Sequence, residues 1–227
     1  MDPAVIVTGA AGALGHAVVA EFLAAGRSVV ALDRPGDRLD GLGAETGVHP
    51  VPVQLSDRAA VQAAFAAVDA LPVDPVALVG LAGGFTPGKL ADVDEAQLAE
   101  LLSSNFSSAL WTAQAAATRF AARGGGAIVL VGSKTAVTGP APVVHAASKA
   151  AVVRLTQLLA DELRKDRIRV NAVLPSVIDT PANRTWMSDD LAARAVAPTA
   201  IAKVIAFLCG PDAAPISGAA IPVYGDA

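Results

Sequence analysis

Short continuous runs of hydrophobic residues alternate along this chain with longer segments in which hydrophobic residues recur every three to four positions. Continuous runs are typical of strands buried on both faces of a parallel sheet, and the longer periodic segments are typical of helices that cover the sheet. The order predicts a doubly wound α/β fold with a predominantly parallel seven-stranded sheet and helices on both faces, in one domain over residues 1–227. The predicted strands are Ala4–Thr8, Ser28–Leu32, Val48–Val53, Val76–Leu81, Ala127–Val131, Ile168–Leu174 and Ala219–Val223. The predicted helices are Leu14–Ala25, Asp57–Ala70, Asp94–Leu102, Asn105–Ala122, Val143–Arg164 and Pro198–Leu208, where the third and fourth are alternatively one long bent helix.

Two segments lack a clear period. Asp33–Gly47 is rich in Gly, Asp and Arg, which predicts a loop with at most a turn of helix. Pro175–Ala197 is predicted to be mostly irregular and is the longest loop. It follows the carboxyl end of a strand, where ligands bind in open α/β sheets, so we expect a lid at about 175–197.

The segment Thr8-Gly-Ala-Ala-Gly-Ala-Leu-Gly15 links the first strand to the first helix. Glycines permit a tight turn and let backbone N–H groups approach a pyrophosphate, which the helix N-terminus also favours. Asp33 ends the next strand, where a carboxylate accepts hydrogen bonds from ribose hydroxyls and repels a 2′-phosphate. This context predicts a Rossmann fold that binds NAD, with NADP less favoured. Arg34 keeps NADP open, because its side chain can turn towards a phosphate.

Composition narrows the function classes. The net charge is −4 without a basic cluster, which argues against nucleic-acid binding. No apolar run approaches the ~20 residues of a membrane span, and a strand that begins by Ala4 leads us to expect no signal or transit peptide. Cys209 is the single cysteine, so an internal disulfide is impossible and a cytoplasmic location is expected. The spacing of the histidines predicts no metal site.

Several motifs, in order, resemble the short-chain dehydrogenase/reductase (SDR) family: TGxxxGxG, then Asp33, Asn105, Ser133 and Lys149. The resemblance extends from Val5 to Gly225. Within the family, AGGF and VLPSVIDTPANRTWM are similar to dihydropteridine reductase and the bacterial reductases like it. The resemblance implies that the following residues bind the cofactor: Thr8, Gly9, Ala11, Gly12, Leu14, Gly15, Asp33, Arg34, Leu55, Ala82, Gly83, Lys149, Pro175, Val177 and Thr180.

The resemblance also implies a catalytic set of Asn105, Ser133, residue 145 and Lys149. The family carries Tyr-x-x-x-Lys, in which the tyrosine exchanges a proton with the substrate oxygen, the lysine lowers the tyrosine pKa and holds the nicotinamide ribose, and the serine hydrogen-bonds the substrate. Here the segment is His145-Ala-Ala-Ser-Lys149, and the single tyrosine is Tyr224 near the end of the chain. Residues 145 and 149 are four apart on a predicted helix and therefore share one face.

His145 leaves two interpretations open. A neutral imidazole, favoured by the adjacent Lys149 charge, accepts a proton and suits alcohol oxidation or enolisation. Alternatively, the site has lost or changed its chemistry. The first hypothesis is an NAD(P)-dependent oxidoreductase acting on a small carbonyl or alcohol substrate. The second is a non-redox isomerase or lyase, and the third is a nucleotide-binding protein without catalysis. The third is also suggested by Leu81, because the family carries Asn-Ala-Gly where this chain has Leu81-Ala82-Gly83.

The helices predicted at Asn105–Ala122 and Val143–Arg164 resemble the pair that forms the family's four-helix dimer interface. Their many alanines allow close approach between helices. The resemblance therefore implies a homodimer or homotetramer.

Overall fold

A computed structural model describes residues 2–226; Met1 and Ala227, which the predicted domain includes, lie outside the described residues. Seven strands form one sheet in the order β3-β2-β1-β4-β5-β6-β7, and every neighbouring pair is parallel. The predicted doubly wound Rossmann sheet is confirmed. The strands are β1 (Asp2–Thr8), β2 (Ser28–Asp33), β3 (Val48–Pro52), β4 (Val73–Gly80), β5 (Gly126–Val131), β6 (Ile168–Pro175) and β7 (Ala220–Val223).

Helices follow the strands and cover both faces of the sheet. The cap of α3 shows how the sequence sets a boundary: the Asp57 carboxylate accepts hydrogen bonds from the Ala59 and Ala60 N–H groups, so the helix begins immediately after Asp57. The α-helices are α1 (Ala13–Ala24), α2 (Asp37–Leu42), α3 (Arg58–Asp69), α4 (Glu95–Leu101), α5 (Ser108–Arg123), α6 (Val143–Glu162), α7 (Pro181–Arg184), α8 (Asp189–Arg194) and α9 (Pro198–Cys209).

The hydrophobic core consists of two main clusters, one on each face of the sheet. Because side chains alternate along a strand, Ile6 of β1 packs with Phe65 of α3 on one face, and Val5 packs with Phe22 of α1 on the other. All four side chains are buried. Burial on both faces explains why the strands read as continuous apolar runs.

Two segments differ from the loops that the sequence predicts. Between β2 and β3 the chain forms the six-residue helix α2 rather than at most one turn, because Leu39 and Leu42 recur at helical spacing and are both buried. The lid segment contains α7 and α8, whose N-termini are capped by the Thr180 and Ser188 hydroxyls. These two short helices were not predicted, because the segment has little hydrophobic periodicity and its only helix signals are the two capping hydroxyl groups.

The helical segment after β4 is continuous and bent. The π-helical turn Leu102–Ser107 joins α4 to α5, so the alternative of one long bent helix describes the structure. Asn105 lies within the π-helical turn and is buried. Such turns are frequent at functional sites because they change the direction in which a side chain points. Within residues 2–226, no helix combines the length and the apolar character that crossing a membrane requires.

Candidate active site

A cleft of about 970 Å³ opens at the carboxyl ends of the central strands. Its floor is the glycine-rich turn after β1. Gly9 adopts φ +67°, and its N–H donates to the Leu32 carbonyl at 2.9 Å. A Cβ on Gly15 would lie 2.3 Å from the Gly9 carbonyl oxygen, so the first turn of α1 packs against the glycine turn without space for a side chain. The N-cap of α1 is Gly12, so no side chain occupies the N-terminal N–H groups that favour an anion.

Asp33 lies at the rim of this cleft and faces the glycine-rich turn. One carboxylate oxygen accepts the Ala11 N–H at 2.9 Å, and the other accepts the Arg34 N–H at 2.7 Å. A carboxylate oxygen has two lone pairs, so each retains capacity for a ribose hydroxyl. These two hydrogen bonds orient the carboxylate towards the glycine-rich turn.

The cleft brings most of the predicted cofactor residues together. Thr8 lies beneath them, where its hydroxyl is 3.4 Å from the Ala82 N–H and accepts it. The predicted residues that line the cleft are Gly9, Ala11, Gly12, Leu14, Gly15, Asp33, Arg34, Leu55, Ala82 and Gly83. Pro175, Val177 and Thr180 do not line it: Pro175 ends β6, Val177 pairs with Val196, and Thr180 caps α7.

Asn105 is held by three hydrogen bonds. Its Oδ1 accepts the Gly84 N–H at 2.8 Å, and its Nδ2 donates to the Gly84 carbonyl at 3.1 Å and to the Ser148 hydroxyl at 2.9 Å. Ser148 in turn donates to the His145 carbonyl at 2.9 Å. Asn105 therefore connects the loop after β4 to α6 and fixes the distance between them.

Lys149 is buried beside this network and its Nζ donates to the Val131 carbonyl at 2.9 Å. A Cβ on Gly83 would lie 3.1 Å from Nζ, so the ammonium group lies close to Gly83, which lines the cleft, whereas Lys149 itself does not line it. Burial lowers the pKa of Lys149 to about 8, because the low-dielectric surroundings disfavour the charged form. The group remains mostly protonated at neutral pH.

His145 is buried on α6, one helical turn before Lys149. Burial, and then the charge of Lys149, lower the pKa of His145, while a hydrogen bond to the Gly84 backbone acts in the opposite direction. The neutral imidazole expected from the sequence is therefore favoured. Nδ1 has no hydrogen-bond partner among residues 2–226, and the Phe85 ring contacts the imidazole edge to face, with 5.0 Å between ring centroids.

Ser133 lies directly after β5 and Gly132. Its hydroxyl oxygen is 2.8 Å from the Thr135 hydroxyl and accepts the Thr135 N–H at 3.2 Å. Thr135 therefore orients Ser133. The sequence analysis did not identify Thr135 as part of the site. The pattern Ser-Lys-Thr gives a weak signal for it, since Ser and Thr side chains often bond to backbone groups two residues away.

Other neighbours of the site were also absent from the sequence-based set. Ser148 lies three positions after His145 on α6, and this helical spacing could have identified it as a neighbour of the site. Further cleft-lining residues come from the end of β3, from α2 and from the α4–α5 segment; they include Gln54, Ser56, Arg38, Glu100, Ser103, Ser104 and Ser108. In the lid, the Arg184 guanidinium donates to the Asp179 carboxylate at 2.7 Å.

A glycine-rich turn under a cleft at the carboxyl ends of the central strands, with Ser133 after β5 and with Asn105, His145 and Lys149 on the adjacent helical segments, is typical of Rossmann-type nucleotide-binding proteins with a dehydrogenase-like site. The family model described as short chain dehydrogenase matches residues 3–191. The chain belongs to the short-chain dehydrogenase/reductase family, whose enzymes use NAD(P).

Relatives and solved structures agree with this assignment. D-xylose 1-dehydrogenase of Caulobacter vibrioides (strain NA1000 / CB15N) is 31% identical, over 94% of this chain and 91% of that protein. L-xylulose reductase of Mus musculus is 37% identical, over 84% of this chain and 78% of that protein. A short-chain type dehydrogenase/reductase from Mycobacterium ulcerans superposes with a TM-score of 0.91 at 27% identity, over 100% of this chain and 90% of that one. The narrower resemblance to dihydropteridine reductase stays a prediction.

Proposed function

We propose that this protein is an NAD(P)-dependent oxidoreductase that interconverts a small alcohol and its carbonyl compound, with His145 in the position of the usual tyrosine. The observation that carries the proposal is the position of His145. It is a neutral, buried imidazole near the Lys149 ammonium group, and it is hydrogen-bonded to the backbone of Gly84, which lines the cleft. NAD is preferred over NADP, since the Asp33 carboxylate at the cleft rim repels a 2′-phosphate.

The residues of the cleft fit the cofactor. The glycine-rich turn and the N-terminus of α1 present N–H groups to a pyrophosphate, and Asp33 presents carboxylate oxygens to a ribose. Lys149 lies close to Gly83, a residue that lines the cleft, and its ammonium group would donate to the second ribose of a bound dinucleotide. When bound, the dinucleotide supplies a nicotinamide ring that takes up or gives a hydride.

His145 and Ser133 handle the proton and the oxygen of the substrate. Nδ1 has no partner among the described residues, so we assign the free lone pair to Nδ1 and the N–H to Nε2. In alcohol oxidation, Nδ1 accepts the hydroxyl proton as the carbon loses hydride; the reverse reaction returns both. The Ser133 hydroxyl, oriented by Thr135, hydrogen-bonds the substrate oxygen.

The lowered pKa of His145 favours the oxidation direction. A neutral ring is a competent base at neutral pH, whereas the imidazolium needed to donate a proton forms only below a depressed pKa. Because Nδ1 is shielded from solvent, substrate reaches it only after the side chains that cover it move.

The test is NAD⁺ reduction with a panel of small primary and secondary alcohols, followed by nicotinamide absorbance. We expect His145→Ala to lower kcat by roughly 10²–10⁴-fold, the range typical of a lost general base. Lys149→Ala should lower it too and weaken cofactor binding. Lys203→Ala is a matched control, because Lys203 is an exposed lysine of α9. Equal rates in the wild type and His145→Ala would assign the protein to a different chemistry.

A further inference from the structure

Large exposed hydrophobic side chains lie in the segments that follow β4, β5 and β6, on the side of the sheet where α6 begins. Phe85 follows β4, Val137 and Val143 flank the end of the loop after β5, and Trp186 belongs to the lid after β6; their exposed fractions lie between 51% and 56%. Strands β4, β5 and β6 are neighbours in the sheet. Because the carboxyl ends of parallel strands meet at one edge, these side chains converge on the same side of the molecule.

Phe85 ties this apolar surface to the reactive group. Its ring meets the His145 imidazole edge to face at 75°, yet more than half of Phe85 remains exposed. A molecule that approaches the imidazole from the Phe85 side therefore meets an aromatic ring.

Charged groups are scarce around this surface. Residues 81–88 and 135–148 contain no Asp, Glu, Lys or Arg. In the lid, the Arg184 guanidinium is occupied by the Asp179 carboxylate. Exposed apolar groups gathered at a polar reactive centre are typical of ligand sites, because covering them with an apolar ligand releases water.

We infer that the substrate of the proposed oxidoreductase carries an aromatic or bulky aliphatic group next to the reacting carbon, and that this group contacts Phe85. The inference rests on the proposed function. A polyhydroxylated substrate would bury hydroxyl groups against apolar side chains, which costs free energy for each unpaired hydroxyl. The site should therefore differ in substrate from the relatives that are named for sugars.

Binding tests this substrate class without turnover. Saturation-transfer NMR on the full chain would compare acetophenone with NAD⁺ and xylitol with NADH, two pairs that cannot react. We expect acetophenone to bind at least about tenfold more tightly than xylitol, and Phe85→Ala to weaken acetophenone about tenfold. Phe207→Ala, which alters an exposed aromatic residue of α9, should leave binding unchanged.

Two results would overturn the substrate class: tighter binding of xylitol than of acetophenone, or wild-type binding of acetophenone by Phe85→Ala. Absence of binding by both compounds overturns it as well. NAD⁺ reduction by 1-phenylethanol and by D-xylose, measured separately, distinguishes the two proposals. Acetophenone binding through Phe85 without oxidation of 1-phenylethanol would contradict the proposed function and leave the apolar site standing. Oxidation of D-xylose but not of 1-phenylethanol would support the proposed oxidoreductase function and contradict the apolar substrate class.

Discussion

Gly83 is the position where a single methyl group should damage the site most clearly. A Cβ there would lie 2.5 Å from Asn105 Oδ1 and 3.1 Å from Lys149 Nζ. Ordinary contact begins at 3.4 Å, so the Asn105 oxygen must retreat by about 0.9 Å. That movement carries its 2.8 Å hydrogen bond from the Gly84 N–H beyond the ~3.2 Å limit of a good bond.

The expected cost of Gly83→Ala follows from the hydrogen bonds that Asn105 loses. Asn105 is buried, so each unsatisfied polar group costs about 1–3 kcal/mol, and two such groups, the Asn105 oxygen and the Gly84 N–H, give roughly 2–6 kcal/mol. For a chain of this size, about 2–4 °C of Tm corresponds to 1 kcal/mol, so Tm should fall by roughly 4–24 °C. Urea denaturation and calorimetry measure both quantities.

Gly84→Ala is the matched control, because its nearest neighbour would be the Ser104 hydroxyl at 3.3 Å and its backbone bonds to Asn105 are retained. A double-mutant cycle with Asn105→Ala isolates the clash: Gly83→Ala should cost much less once the amide is absent. If Gly83→Ala and Gly84→Ala are equally stable, or if the cycle shows additivity, the Asn105 contact does not control this part of the site.

The remaining predictions concern the cofactor turn, the buried lysine and assembly. Gly15→Ala should abolish NADH binding in a fluorescence titration, because the new Cβ would lie 2.3 Å from a backbone oxygen. Gly41→Ala is the control and should bind NADH normally, because its Cβ would meet nothing within 4 Å. The pKa of Lys149 is about 8 in the native state and 10.5 in the unfolded state. Below pH 8 the buried ammonium group therefore lowers the free energy of unfolding, and this loss of stability disappears as the pH rises from 8 to 10.5. The unfolding free energy of the wild type should therefore rise by roughly 3 kcal/mol relative to Lys149→Met across that window, and parallel urea curves would refute this. Light scattering at micromolar concentration should show a homodimer or homotetramer; a monomer would contradict assembly through α5 and α6.

The sheet could be predicted from sequence because its determinants are local. Strands buried on both faces, such as β5, are continuous apolar runs, and their predicted ends lie within three residues of the observed ones. The glycine-rich turn could also be predicted from the sequence, because the strand, the glycines and the helix are adjacent in the chain. By contrast, α2 depends on two buried leucines within a polar stretch, where hydrophobic periodicity is too brief to register.

The interior of the site could be predicted only in part. Its residue types follow a recognisable order, but their mutual contacts depend on residues far apart in sequence. Asn105 bonds to Gly84 and Ser148, which are 21 and 43 positions away. The Phe85–His145 contact joins the loop after β4 to α6 in the same way. Such contacts arise from the packing of the π-helical turn against α6, which no local pattern reveals.

Titration of the protein with NADH and NADPH, followed by nicotinamide fluorescence, tests the central claim most directly. The account predicts saturable NADH binding in the micromolar range, weaker binding of NADPH, and a smaller difference between the two in Asp33→Asn. If neither dinucleotide binds, the cleft between Gly15 and Asp33 does not hold a nicotinamide cofactor, and the proposed oxidoreductase function is wrong.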